Sequence, residues 1–244
     1  MNASALVEVL FEASAAAYQA AFHAPDSGPT ARPGQYGLDV AADAAALAKL
    51  HGAGLSVLSE ESGWTEGDSS LVAILDPIDG STNAYRHIPF FSTSICVFDR
   101  DGPWVGSVVD HGSGRRFHAI REEGSWKDGD PIGPSKCASI EQAVVGIAGP
   151  LLNGAQPWQY RALGSASLEF CLVAEGSLDA FVLGHGVFLH PWDYLAGLLI
   201  CREAGAAVSE ASGRDPWVAV DSLLRPLAAG TADLMAQLIS ALGT

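Results

Sequence analysis

Five consecutive apolar residues, Leu71-Val-Ala-Ile-Leu75, run without a break into Asp76-Pro77-Ile78-Asp79-Gly80. An unbroken apolar run of this length reads as a strand buried on both faces, so the chain must place layers on either side of it. Pro77 fixes φ and removes a backbone donor, which predicts that the chain leaves the ladder there. A turn then returns Asp79 beside Asp76. Gly80 permits a tight backbone, and Ser81 and Thr82 suit the start of a helical turn. Two carboxylates held together at the end of a dry strand repel each other. A divalent cation relieves that repulsion, and oxygen donors favour Mg²⁺. The amides of Ser81-Thr82-Asn83 would then face phosphate at a helix start. An ordinary Asp-rich turn is the alternative reading of the same letters; the buried strand before them favours chemistry.

With 244 residues, 48% apolar and 17% charged, the chain can build one large domain or two packed lobes around a substantial core. The periodicity predicts helices over 2–22, with Leu6, Val7, Leu10 and Phe11 on one face, and over 39–51, separated by a Pro/Gly/Ser-rich loop at 23–37. A short strand is expected at 55–58, and residues 63–70 read as a polar turn that can swing over a site. Strands at 93–98, 104–109 and 116–120, with turn signals at Asp101-Gly102 and Gly112–Gly114, predict an antiparallel meander. Beyond 131–134, strands at 143–147, 178–183 and 206–209 alternate with helices near 165–175, 193–204 and 232–242. That alternation is the mark of a layered α/β lobe. The expected lobes are 1–135 and 136–244.

A formal net charge of −15 argues against a nucleic-acid polymer as partner, because such surfaces are basic. An acidic chain takes an anionic substrate only where cations mediate the contact. No run of 18 apolar residues is present, so no membrane span is expected. Residues 1–22 carry Glu8 and Glu12 and lack a basic leader, which predicts an amphipathic helix in place of a secretory signal. Cys96, Cys137, Cys171 and Cys201 lack metal-type spacing and read as buried thiols of a cytoplasmic protein.

Two further segments carry acids in suggestive places. Glu60-Glu61-Ser62 follows the strand at 55–58, although adjacent glutamates are usually a solvated surface. His190-Pro191-Trp192-Asp193-Tyr194 leads into an apolar helix, and Asp193 there suits either a ligand or a helix N-cap. Taken together, these three segments, with Glu203-Ala204-Gly205, resemble the inositol monophosphatase family of metal-dependent, lithium-sensitive phosphatases. The resemblance runs in order over nearly the whole chain.

The resemblance implies a layered α-β-α-β-α sandwich and two or three Mg²⁺ ions between the lobes. It implies that Glu60, Asp76 and the carbonyl of Ile78 hold one metal, and that Asp76, Asp79 and Asp193 hold another. Glu60 and Ser81 would orient the attacking water, and Gly80 and Ser81 would contact phosphate. Ser165 and Ala166, in Gly164-Ser165-Ala166, would lie on the substrate side with Asp79 and Asp193. Glu61 and Asp43 would support the ligands. A homodimer is implied as well, and Trp104, Trp126 and Trp158 look exposed enough to serve one. Members acting on inositol phosphates commonly carry a glutamate shortly before Trp-Asp. Residues 181–192 hold no acid, which argues against inositol itself. His185 and His190 are candidate contacts for a hydroxyl or a base. The expected activity is hydrolysis of a small polyol or sugar phosphate without a covalent intermediate. A nucleotide phosphatase and a catalytically silent dimeric scaffold are the alternatives.

Overall fold

The computed structural model describes residues 1–24, 27–150, 157–217 and 223–242. Positions 25–26, inside the expected loop at 23–37, lie outside the described residues.

The chain opens with two helices, α1 (Ala3–His23) and α2 (Gly37–Gly52). Asn2 caps α1 by accepting the Ala5 N–H at 2.8 Å. The buried stripe Leu6, Leu10, Ala13, Ala17 and Ala21 faces Ala42, Ala46 and Leu50 of α2, and the alanines let the helices pack closely. By length and composition α1 could cross a bilayer, contrary to the expectation from apolar run length, but that stripe is spent on the core.

The first sheet follows, with β1 (Ser56–Ser59), β2 (Gly63–Thr65), β3 (Val72–Asp79), β4 (Ser92–Asp99), β5 (Gly102–Asp110), β6 (Arg116–Ile120), β7 (Gly124–Lys127) and β8 (Asp130–Pro131). Their spatial order is β2-β1-β3-β4-β5-β6-β7-β8, antiparallel except for β1 beside β3. Residues 63–65, expected as part of a mobile turn, form β2 on the sheet edge. The buried alternation is the strand period at work. Ala73, Leu75, Ile95 and Val97 face α1 and α2, while Ile74 and Cys96 face the other way.

The second sheet holds β9 (Val144–Ala148), β10 (Gln159–Arg161), β11 (Ala180–Leu183), β12 (Ala207–Glu210) and β13 (Pro226–Ala229), in the order β10-β9-β11-β13-β12. Between the two sheets lie α4 (Ala166–Ala174) and α5 (Pro191–Glu203), and α6 (Ala232–Leu242) covers the far face. A five-residue helix, α3 (Ser81–Tyr85), precedes β4. The layers are therefore helix, sheet, helix, sheet, helix, as expected.

All nine residues of α4 are buried, as a helix between two sheets must be. Its crossing with α5 depends on Gly197, where a Cβ would stand 2.7 Å from Phe170 Cβ and 2.9 Å from the Ser167 carbonyl oxygen. Trp104 and Trp126 are half-buried against the α1–α2 core, so of the three tryptophans expected at the surface only Trp158 is exposed. Cys96, Cys171 and Cys201 are buried; Cys137 is only partly so.

Candidate active site

The carboxylates arrive by three routes that meet where the two halves of the chain face each other. β3 supplies the first. Leu75 pairs with Ile95, Asp76 with Ser94 and then Asp79 with Ser92, so Pro77 and Ile78 stand opposite Thr93 alone. Contrary to the expectation from Pro77, the chain does not leave the ladder there. It bulges instead, with Thr93 Oγ1 donating to the Pro77 carbonyl at 2.8 Å. The parallel partner β1 ends opposite Leu75, so Pro77's missing N–H is not needed on that side.

The bulge places Asp76 and Asp79 at the strand's end, with Asp76 Oδ1 accepting the Ile78 N–H at 3.0 Å. Gly80 then turns the chain at φ +93°, and a Cβ there would lie 3.0 Å from the Gly164 carbonyl oxygen. Glycine is required both by the left-handed backbone and by that approach. Asn83 Nδ2 clamps the junction, donating to the carbonyls of Phe90 and Leu163, both at 2.8 Å.

Glu60 comes from the end of β1 and Asp193 from the first turn of α5. One oxygen from each of Glu60, Asp76 and Asp193 lies within 4.8 Å of the other two. Asp193 is not the N-cap. His190 holds that place, and Asp193, three residues on, accepts its N–H at 2.8 Å. That bond aims the carboxylate back across the helix start.

Asp79 sits beside these three with Oδ2 already engaged, by Ser165 Oγ at 2.7 Å, the Ser167 N–H at 2.8 Å and Ser167 Oγ at 2.5 Å. Ser165 and Ala166, expected on the substrate side, are both buried and both hydrogen-bond Asp79. Ser165 heads α4, but its hydroxyl serves Asp79 and caps nothing.

Burial is the largest cause of strain in this group, and mutual repulsion follows. Burial, then the charges of Glu61, Asp39 and Asp79, push Glu60 from 4.5 up to about 7. Asp76 stands well above the usual carboxylate range through burial and then Glu60, Asp79 and Asp193. Asp193 is raised by burial and then by Asp79 and Glu60. Asp79 is raised by burial in spite of its serine donors.

Among the described residues no side-chain cation forms an ion pair with any of these four carboxylates. Arg32 comes nearest, donating to the Glu60 carbonyl at 3.3 and 3.4 Å and pairing with the Glu61 carboxylate at 3.2 Å. Gln35 also donates to Glu61, which therefore anchors the loop before α2 and leaves the cluster to Glu60. A buried group of hard oxygen donors with no internal counter-charge fits a divalent cation.

Asp43, expected to support the ligands, accepts from Ser59 Oγ at 2.5 Å and fixes the end of β1. The acid nearer the chemistry is Asp39, which sequence reasoning missed. Its Oδ2 accepts the Tyr36 N–H at 2.8 Å, and its Oδ1 is buried with no hydrogen-bond partner among the described residues. Burial raises it from 3.8 to about 7 against the smaller opposing influence of the Ser81 side chain. An acid in a helix's first turn is so ordinary that sequence alone gave no signal. Ser81 Oγ donates to the Ile78 carbonyl at 2.9 Å, and its side chain lies close enough to Asp39 to act on that carboxylate. His190 is exposed and stacks on Trp192, with centroids 4.6 Å apart, and His185 is exposed.

Residues 38–243 match the inositol monophosphatase family profile. The chain belongs to the inositol monophosphatase family. It is 32% identical to fructose-1,6-bisphosphatase of Pyrococcus furiosus over 182 residues, 73% of this chain and 70% of that protein. It is 31% identical over 175 residues to Nus factor SuhB of Escherichia coli, 65% of this chain and 64% of that one, so the match spans just under two thirds of the SuhB relative. In fold it is similar to the inositol monophosphatase of Anabaena (Nostoc) sp., with a TM-score of 0.81 over 100% of this chain and 97% of that chain at 24% identity. Members of the family are metal-dependent phosphatases acting on small phosphate compounds.

Proposed function

We propose that the protein is a Mg²⁺-dependent phosphatase that hydrolyses a small polyol or sugar phosphate, a monoester, by direct attack of water. The convergence of Glu60, Asp76 and Asp193 from three distant segments carries this reading. These three carboxylates, with Asp79 and the Ile78 carbonyl beside them, would hold two or three divalent ions. Such ions supply positive charge to the phosphoryl oxygens and lower the pKa of a water.

The chain's own residues do the rest. When the Ser81 proton turns to Asp39, the hydroxyl's lone pairs are free to receive a water proton, which aligns that water. Asp39 and Glu60, both raised to about 7, are matched to taking a proton near neutral pH. The N–H groups of Gly80 and Ser81, at the open start of α3, face the phosphoryl group. Asp79, bound to the serines at the head of α4, couples the spacing of the two halves to the site.

A nucleotide or nucleoside phosphate is the alternative substrate within the same chemistry. The name Nus factor, borne by the SuhB relatives, is not that of a hydrolase and keeps open a binding role beside catalysis. The intact acidic cluster favours turnover. The deciding experiment is phosphate release from polyol phosphates, fructose 1,6-bisphosphate and nucleoside phosphates, with and without Mg²⁺. Release from a polyol or sugar phosphate, dependent on Mg²⁺ and lost in Asp76→Asn and Asp193→Asn, is the expected result. No release from any member, or turnover indifferent to either substitution, would overturn the assignment.

A further inference from the structure

On the α1 side of the first sheet, between the start of α1 and strands β6 and β7, a cavity of about 250 Å³ opens to solvent. Val7, Phe11 and Ile120 form its apolar wall, and Glu8, Arg116 and His118 line it as well. None of these residues belongs to the acidic cluster.

Three features are unusual for an idle groove. His118 stacks on Trp126 with centroids 5.0 Å apart and meets Phe11 edge-on at 5.8 Å, yet its Nδ1 is buried with no hydrogen-bond partner. A buried polar atom normally finds a partner, so an orphan marks a place where one is missing. The Arg116 guanidinium lies over the Phe11 ring, 4.9 Å from its centroid, and forms no ion pair among the described residues. Asp128, whose Oδ1 accepts the Arg116 backbone N–H at 2.9 Å, forms no ion pair with the guanidinium among the described residues. Glu8 is exposed and likewise forms no ion pair among the described residues.

Glu8 and Arg116 both act electrostatically on His118, in opposite directions, and so flank it without closing on each other. Burial keeps the ring on the neutral side.

We propose that this cavity is a binding site for a small zwitterion with an apolar side chain, of the class of the apolar α-amino acids, separate from the phosphatase site. The ligand's carboxylate would lie on Arg116, its ammonium on Glu8, and its side chain against Val7, Phe11 and Ile120. A simple anion would gain Arg116 but face Glu8 and Asp128, and a simple cation would meet the guanidinium. Only a molecule carrying both charges uses both walls, and a volume of this size admits one such molecule.

The test uses L-phenylalanine as probe, with phenethylamine and N-acetyl-phenylalanine as single-charge controls, followed by ligand-observed NMR on the full chain in Mg²⁺. Saturable binding of L-phenylalanine is expected, weakened about tenfold or more in either control and in Arg116→Gln and Glu8→Gln, since each removes one charge-assisted contact. Both positions are exposed, and circular dichroism checks that the variants fold. Binding should persist in Asp193→Asn, which separates this site from the acidic cluster. The inference fails if L-phenylalanine does not bind up to its solubility limit. It also fails if the three compounds bind alike, or if affinity survives both charge substitutions.

Discussion

The acidic cluster makes a quantitative prediction about the protein without metal. Glu60 has an ordinary value of 4.5 and is raised to about 7 in the fold, by burial first and neighbouring acids second. A folded state that holds its proton more tightly than the unfolded chain loses stability as pH rises through the interval between the two values. The loss is absent below 4.5, grows between 4.5 and about 7, and is complete above 7. A shift of this size corresponds to about 3 kcal/mol at 1.36 kcal/mol per pH unit. For a chain of this length that is roughly 6–12 °C in Tm.

Glu60→Gln removes the titrating group. At pH 8 in EDTA the variant should therefore melt several degrees above the wild type, while at pH 4, below both values, the two should nearly coincide. Saturating Mg²⁺ should reverse the order at pH 8, because a cation stabilises only the protein that binds it. Differential scanning fluorimetry at the two pH values, with and without Mg²⁺, measures all of this. A variant no more stable than the wild type in EDTA at pH 8 would refute the frustrated-cluster reasoning. So would a wild type whose Tm ignores Mg²⁺.

Asp39→Asn should lower kcat by about a hundredfold or more while leaving the Mg²⁺ dependence of Tm in place, because Asp39 faces Ser81 and lies outside the converging three; steady-state rates beside a Mg²⁺ melting titration check it. Glu210 behaves in the opposite sense to Glu60. Burial alone would raise it, but bonds from Ser212, Arg225 and Arg214 prevail and hold it at about 2 against an ordinary 4.5. Its stabilisation is present above 4.5 and is lost as pH falls toward 2, so Glu210→Gln should cost roughly 3 kcal/mol at pH 7 and much less at pH 3, read from urea midpoints. Gly197→Ala should destabilise by about 1–3 kcal/mol through the clash with Phe170 and Ser167, seen as a lower Tm.

The local code and the tertiary arrangement contributed different things. The apolar run before Asp76, the period of α1 and the alternation beyond residue 140 sufficed to predict a buried strand, an amphipathic first helix and a layered α/β second half, because each is a short-range pattern tied to burial. The five-layer order came from the family resemblance. The acids at 60, 76, 79 and 193 were legible as candidates because three uncommon motifs stand in one order along the chain. Pro77 misled, since its tolerance depends on whether a neighbouring strand needs its donor, and β1 stops one residue short of Asp76. The short strands β10 and β13 carry too few residues to establish a period, and pairing alone creates them.

Which acid serves which task was likewise decided in three dimensions. Asp39 and Asp43 differ by one helical turn and are chemically the same, yet one faces Ser81 and the other Ser59. Sequence fixes the identity of a side chain and the face of its element, but distance and burial determine its charge and its neighbours. Those arise only when segments separated along the chain are packed together.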